Sequence, residues 1–241
     1  MRDVEVAAAA ARAAADVLTG LRSGGLTGRA LGDAGDAAAQ EAITAVLAAE
    51  RPDDVVFSEE AADDRSRLEA GRVWIVDPLD GTREYGETER SDFAVHVALW
   101  VRGTLGAGAV ALPAVGEVLV TDPAPALPPP VARPPRIAVS RTRPPAQADA
   151  AAAAVGGELV PLGSAGFKVT AVVRGEVDAY VHAGGMYQWD SAAPVAVALA
   201  AGLTAVRLDG SPLRYNEPDP SLPDLLVCRP ELAADLLAAV R

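Results

Sequence analysis

One cysteine, two histidines, two methionines and a shortage of positive charge exclude several kinds of chemistry from this chain of 241 residues. A lone thiol closes no internal disulfide. The run Leu225-Leu226-Val227-Cys228 reads as a buried strand with an unreactive sulfur, which fits a reducing cytoplasm. His96 and His182 are too few for a histidine-rich zinc site. No stretch of 18 uninterrupted apolar residues exists to cross a membrane. The alanine-rich residues 6–15 resemble a leader only superficially, because Asp3, Glu5, Arg12 and Asp16 punctuate them. With 21 basic against 33 acidic residues the net charge is −12, so duplex nucleic acid and anionic membranes meet long-range repulsion. A small anion remains acceptable wherever bound cations invert the local field.

What is present is apolar material for a core. Half of the residues are hydrophobic, much of that alanine, and a chain of this length buries about 70% of its unfolded surface. Helices are expected over 3–21 and 36–50, with Gly20, Gly24, Gly25 and Gly28 marking their connection. Strands are expected over 55–58, 72–77, 93–101, 106–112 and 117–121, giving a mostly antiparallel first sheet. Proline then dominates between Pro123 and Pro145, above all in residues 126–135, where neither a helix nor a central strand continues. The boundary between two halves, 1–132 and 133–241, is placed there. Beyond it strands at 136–140, 158–161, 177–182, 204–208 and 225–228 alternate with helices at 145–155, 164–174 and 190–201 and a final helix, an α/β pattern with helices covering a sheet. The expected class is α+β in the first half and α/β in the second.

The most informative stretch is Trp74-Ile75-Val76-Asp77-Pro78-Leu79-Asp80-Gly81-Thr82. An apolar, β-branched strand runs into two carboxylates, and Pro78 and Gly81 end it. Asp77 and Asp80 repel one another unless a cation lies between them. Oxygen donors with neither sulfur nor imidazole nearby favour magnesium or manganese. Phe57-Ser58-Glu59-Glu60 ends another short strand in acid, and Glu59 faces the same cations if the two strands pair; the alternative is a solvated acidic loop, since Ala61-Ala62-Asp63-Asp64 follows. Asp190 in Trp189-Asp190-Ser191 is read either as a ligand or as a helix N-cap, and Asp33 and Asp36 as charges near a helix start. Asp-Pro-Leu-Asp also differs from the Asp-x-Asp of haloacid-dehalogenase-like phosphatases, so water is the expected nucleophile and no aspartyl-phosphate forms.

The order Glu-Glu, then Asp-x-x-Asp-Gly-Thr, then Trp-Asp, together with residues 80–87, Gly163-Ser164-Ala165-Gly166-Phe167-Lys168 and the segment 189–202, resembles the magnesium-dependent, lithium-sensitive phosphomonoesterases that include inositol monophosphatase and fructose-1,6-bisphosphatase. Within them the chain is similar to the CysQ-type 3′-phosphoadenosine 5′-phosphate phosphatases of actinobacteria. The resemblance implies a layered α/β/α/β/α sandwich, two or three Mg2+ ions with Mn2+ as a substitute, and a family habit of forming homodimers. By position it makes Glu59, Asp77 and the Leu79 carbonyl ligands of a first ion, and Asp77, Asp80 and Asp190 ligands of a second. Asp36 stands where relatives reach a third. Glu59 and Thr82 would orient and deprotonate the attacking water, and the backbone N–H groups of Gly81 and Thr82 would meet the phosphate. Ser164 and Lys168 lie where relatives face substrate, although Lys168 has a second reading as a helix residue that snorkels to solvent.

Relatives specific for inositol phosphate carry a glutamate seven residues before the Trp-Asp aspartate; that position is Ala183. The expected activity is therefore removal of the 3′-phosphate of 3′-phosphoadenosine 5′-phosphate in sulfate assimilation. Broad action on fructose 1,6-bisphosphate or inositol phosphate is the nearest alternative. A catalytically silent metal-dependent ligand sensor is an alternative of another class, disfavoured by the intact Glu59/Thr82 pair. The expected partner is a small phosphorylated substrate, with a homodimer implied by the resemblance.

Overall fold

The computed structural model describes residues 1–127, 129 and 133–241. The expected boundary at 132/133 and the prolines at 128 and 130 adjoin or fall on positions outside the described residues.

Two long helices open the chain, α1 (Asp3–Arg22) and α2 (Gly28–Glu50), followed by β1 (Val55–Ser58), a single 3-10 turn (Ser66–Leu68), β2 (Arg72–Asp80) and a short α3 (Thr82–Gly86). β3 (Ala94–Val101), β4 (Thr104–Leu112) and β5 (Glu117–Val120) complete a five-stranded sheet in the order β1-β2-β3-β4-β5. β1 and β2 run parallel, and the remaining pairs are antiparallel. The second sheet has the order β7-β6-β8-β10-β9, built from β6 (Arg136–Ser140), β7 (Glu158–Leu162), β8 (Ala179–Ala183), β9 (Thr204–Val206) and β10 (Asp224–Cys228). β7, β6 and β8 are mutually parallel, while β10 lies antiparallel to β8 and β9. Its helices are α4 (Ala148–Val155), α5 (Ala165–Val173), α6 (Ala192–Ala200) and α7 (Ala233–Val240).

Alternation along the strands decides the layers. In β2, Trp74 and Val76 point into a core shared with α1 and α2, whereas Val73 and Ile75 point into a second core filled by α5 and α6. A strand buried on both faces reads as a continuous apolar run, which is why 73–76 carries no polar residue. The second sheet closes that central core with Ala138, Tyr180, Leu225 and Val227. On its other face Ile137, Val139, Val181, Leu226 and the inert Cys228 pack against α4 and α7. The result is five layers, α/β/α/β/α, as expected.

Helix α2 begins eight residues before its expected start at 36. Gly32 and Gly35 look like breakers in the sequence, yet a Cβ at 32 would lie 2.7 Å from Thr82 Cγ2 and one at 35 would lie 2.6 Å from Tyr85 Cε1. These glycines let α2 lie against α3, and contact with the rest of the fold outweighs their low helix propensity.

Candidate active site

Parallel strands deliver their C-terminal ends to one place. Ser58 lies opposite Val76 in the β1–β2 ladder, and the Glu59 N–H donates to the Val76 carbonyl at 3.3 Å, so Glu59 emerges beside Asp77. Asp77 and Asp80 are three apart, an odd spacing that would put them on opposite faces of a regular strand. The β2–β3 ladder pairs Asp77 with His96 and Asp80 with Ala94, so three steps on β2 answer two on β3. This bulge at Pro78, which has no N–H to give the ladder, re-aims Asp80 toward the side on which Asp77 lies. Gly81 then turns the chain at φ +90 into α3, a conformation that glycine adopts without strain. β2 thus continues to Asp80, three residues past its expected end.

From the second half comes Asp190. It is not the cap of α6, because Ser191 occupies that position; the Asp190 Oδ2 instead accepts the Tyr187 N–H at 2.8 Å. Ligand-capable oxygens of Glu59, Asp77 and Asp190 all lie within 4.8 Å of one another. Asp80 stands outside that trio, its Oδ2 accepting the Ser164 hydroxyl at 2.5 Å and the Gly166 N–H at 2.6 Å, while its charge still acts on all three. Asp36 comes within 3.4 Å of Thr82 Oγ1, and Thr82 Oγ1 donates to the Leu79 carbonyl at 3.2 Å. Asp33 points away and pairs with Arg29 on the surface.

Carboxylates crowded in this way hold protons tightly. Loss of water and then the Asp80 charge push Glu59 up to about 7 and Asp190 up to about 8, and they raise fully buried Asp77 well above the carboxylate range. Burial and then Glu60 push Asp36 up to about 7. The Asp77 Oδ2 is buried with no hydrogen-bond partner among the described residues. A buried carboxyl oxygen without a partner beside two more carboxyl groups fits a hard divalent cation, which displaces the protons and for which oxygen ligands are the preferred set.

These raised values couple cation binding to stability. A carboxyl group whose proton affinity rises on folding stabilises the fold below its unfolded pKa, about 4, and that contribution is lost as the pH climbs through 7–8. Metal-free protein should therefore lose melting temperature between about pH 5 and about pH 8, and magnesium should restore more of it at the upper end. Thermal melts in chelator and in magnesium at both pH values test this; a magnesium-induced rise that is equal at both would contradict it.

His96 corrects the expectation of a site free of imidazole. It is fully buried, with Nδ1 3.1 Å from the Trp189 carbonyl and Nε2 3.4 Å from Asp80 Oδ2. Burial holds its pKa below the ordinary value, so the ring donates from Nδ1 and turns Nε2 toward the acidic group. A single histidine within an apolar strand gives no sequence signal; only its register opposite Asp77 reveals it.

A cavity of about 610 Å³ opens beside these groups, lined by Asp80, Thr82 and Asp190 and by Arg143, Lys168 and His182. The ends of β6, β7 and β8 supply residues 140–143, Gly163 and Ser164, and His182, Gly184 and Gly185 to it. Lys168, the chain's only lysine, does not snorkel: it is 4% exposed, and its Nζ donates to the carbonyls of Gly163 at 2.8 Å and Ser164 at 2.7 Å. Burial lowers its pKa to about 8. The Ser164 hydroxyl, besides donating to Asp80, accepts the Phe167 N–H and caps α5. Arg141 is paired with Glu84 and Glu87, whereas the Arg143 guanidinium has no ion pair or hydrogen bond among the described residues. His182 Nε2 is likewise unpartnered, and burial with the Lys168 charge lowers its pKa to about 4. Arg143 and His182 went unread as site residues; the available signal was their place just after, or at the end of, parallel strands.

The family model described as "Inositol monophosphatase family" matches residues 2–123 and 132–241. The 3′-phosphoadenosine 5′-phosphate phosphatase of Mycobacterium leprae is 51% identical over 255 aligned positions, covering 100% of this chain and 94% of that protein. The 3′(2′),5′-bisphosphate nucleotidase CysQ of Escherichia coli is 30% identical, over 76% of this chain and 78% of its own. Among solved structures, CysQ from Bacteroides thetaiotaomicron superposes with a TM-score of 0.82 at 25% identity, covering 94% of this chain and 97% of that one. No helix of the described residues is long and apolar enough to cross a membrane. A match that runs through both sheets shows that the chain belongs to the inositol monophosphatase family of metal-dependent phosphatases.

Proposed function

We propose that this protein is a magnesium-dependent phosphomonoesterase that removes the 3′-phosphate of 3′-phosphoadenosine 5′-phosphate, releasing AMP and phosphate. The observation that carries the reading is the convergence of Glu59, Asp77 and Asp190, the last of which also lines the cavity that holds the unpaired Arg143. The cavity lining carries the carboxylates of Asp80 and Asp190 together with the cations of Lys168 and Arg143. It suits a substrate with two phosphate groups, one at the reacting centre and one anchored by Arg143, which can grip phosphate with a fork of N–H donors.

In this reading Glu59, Asp77 and the Leu79 carbonyl would hold one magnesium ion, Asp77, Asp80 and Asp190 would hold a second, and Asp36 would serve a third. Bound magnesium supplies electrophilic neutralisation of the phosphoryl oxygens and the departing alkoxide. Glu59 and Thr82 orient the attacking water and take its proton, and the Gly81 and Thr82 N–H groups fix the phosphate in line. Lys168, with Ser164 beside it, holds the substrate from the second half. Most of the acceleration then comes from position and electrostatics, which carboxylates and cations supply without a nucleophilic side chain. The same reading carries a cytoplasmic setting, a homodimer, a division of the chain at residue 133 and a place in sulfate assimilation.

Phosphate release from 3′-phosphoadenosine 5′-phosphate, AMP, fructose 1,6-bisphosphate and inositol 1-phosphate tests it, in magnesium, in magnesium with lithium, and in chelator. The bisphosphonucleotide should exceed AMP and inositol 1-phosphate in kcat/KM by at least about 100-fold, because these lack a second phosphate and leave Arg143 unpaired. Lithium and chelator should each suppress turnover. Equal or faster hydrolysis of inositol 1-phosphate would overturn the substrate, and full activity in chelator would overturn the metal mechanism.

A further inference from the structure

We propose that Arg67 is a positioning residue for the metal site, working with the loop 213–220 of the second half as a clamp that sets the separation of Glu59 from Asp190. Neither Arg67 nor that loop contributes a carboxylate to the trio of ligands, and the two lie 149 residues apart in sequence at their closest pairing, Arg67 with Asn216.

Arg67 is 1% exposed, an unusual place for a guanidinium. Its Nε and Nη2 fork onto Asp63 at 2.9–3.1 Å, which neutralises the charge. The remaining Nη1 donates to Asn216 Oδ1 and to the Glu217 carbonyl, both at 3.0 Å, and Asn216 returns a hydrogen bond from Nδ2 to the Arg67 carbonyl at 2.9 Å. Asn216 is held at φ +59, a left-handed conformation that few residues other than glycine and asparagine tolerate, so this reciprocal pair constrains backbone as well as side chain. The guanidinium carbon also sits 3.9 Å from the centre of the Phe57 ring.

Phe57 is two residues before Glu59 on a short strand at the sheet edge. Its far contact is Trp189, edge to face at 5.2 Å, and Trp189 immediately precedes Asp190. The residue before that, Gln188, is buried and bound to the same loop: its Nε2 donates to the Asp219 carbonyl at 2.6 Å, its backbone N–H to Pro220 at 2.8 Å, and its Oε1 accepts from Glu217 N–H at 3.3 Å. One loop therefore grips both ligand-bearing turns, through Arg67 and Phe57 on one side and through Gln188 on the other.

Repulsion among Glu59, Asp77 and Asp190 tends to splay them, so their close spacing needs restraint from neutral, rigid neighbours. A planar fork on Asp63, Asn216 and Glu217 supplies it, and a lysine, with one flexible point charge, does not. Groups that orient metal ligands without touching the metal typically change affinity by about 10–100-fold when removed.

The inference rests on the carboxylate trio being a divalent-cation site. Calorimetric titration of metal-free protein with Mg2+ and Mn2+ tests both layers without recourse to turnover. Arg67→Lys and Asn216→Ala should each bind at least about tenfold more weakly than the parent protein. Leu236→Ala, a core cavity in α7 far from the site, should lower the melting temperature while leaving cation affinity within about twofold. Parent-like affinity in both clamp variants would overturn the clamp while leaving the metal site intact. Affinity that falls equally in Leu236→Ala would reduce Arg67 to general stability and overturn it too. No binding by the parent protein would sink the metal site and the clamp with it.

Discussion

Replacing Asp77 by asparagine should abolish catalysis and stabilise the metal-free protein at the same time. Asp77 is fully buried, its Oδ1 accepts the Leu79 N–H at 3.0 Å, and its Oδ2 faces acidic neighbours with no partner. Asparagine keeps the Leu79 bond through its own Oδ1 and presents an N–H₂ donor where the unpaired oxygen stood. The charge shared by two cations in the proposed mechanism is lost, and kcat/KM should fall by at least about 10³-fold, corresponding to about 4 kcal/mol of transition-state stabilisation. In chelator above about pH 8, where Glu59 and Asp190 give up their protons, replacing this crowded carboxyl by a neutral amide should raise the melting temperature by about 2–4 °C, the shift expected from about 1 kcal/mol in a chain of this size. Steady-state kinetics and melts in chelator on the same preparation check both halves. Turnover close to the parent's would remove Asp77 from the metal centre, and a fall in melting temperature would show that its charge is compensated by something other than bound cations.

Gly166→Ala should be among the most damaging single-methyl changes available to this fold. A Cβ there would lie 1.8 Å from His96 Nε2 and 2.7 Å from Cε1. The ring cannot swing aside, because it is enclosed in the β3 layer and tied through Nδ1 to Trp189. α5 must shift instead, and with it the Gly166 N–H that holds Asp80. Overpacking of this severity costs about 3 kcal/mol, or roughly 6–12 °C in melting temperature. Differential scanning calorimetry measures it directly; a loss below about 2 °C would mean that α5 has slack that the packing denies. The variant should also bind divalent cations more weakly, since the Gly166 N–H and the Ser164 hydroxyl at the start of α5 hold Asp80.

Much of this architecture is legible in the chain because burial writes itself into pattern. Val73 to Val76 had to be a two-sided strand, and the run of acid after Phe57 and Val76 marked where two such strands end. The parts that were illegible are those decided by partners distant in sequence. The register that brings His96 opposite Asp77 depends on a ladder, and the bulge that turns Asp80 toward the site depends on the same ladder. Gly32 and Gly35 sit in α2 despite low helix propensity, and only the fold puts Thr82 and Tyr85 where a side chain at either position would stand. Asp190 carried the local marks of a cap, but Ser191 takes that role and leaves the carboxylate for the site. Likewise Arg67 and Asn216 are unremarkable residues in sequence, and only the fold makes them neighbours.

The scarcity of lysine has a practical side. Every other side-chain cation in the chain besides histidine is an arginine, so an amine-directed reagent meets one ε-amino group, and that group lies in the wall of the cavity with a pKa of about 8. Its two carbonyl partners and its burial shield it, leaving it open to modification only through the space that a ligand would fill. The molecule thus carries a built-in chemical reporter of occupancy, placed where acylation and ligand binding compete for the same room.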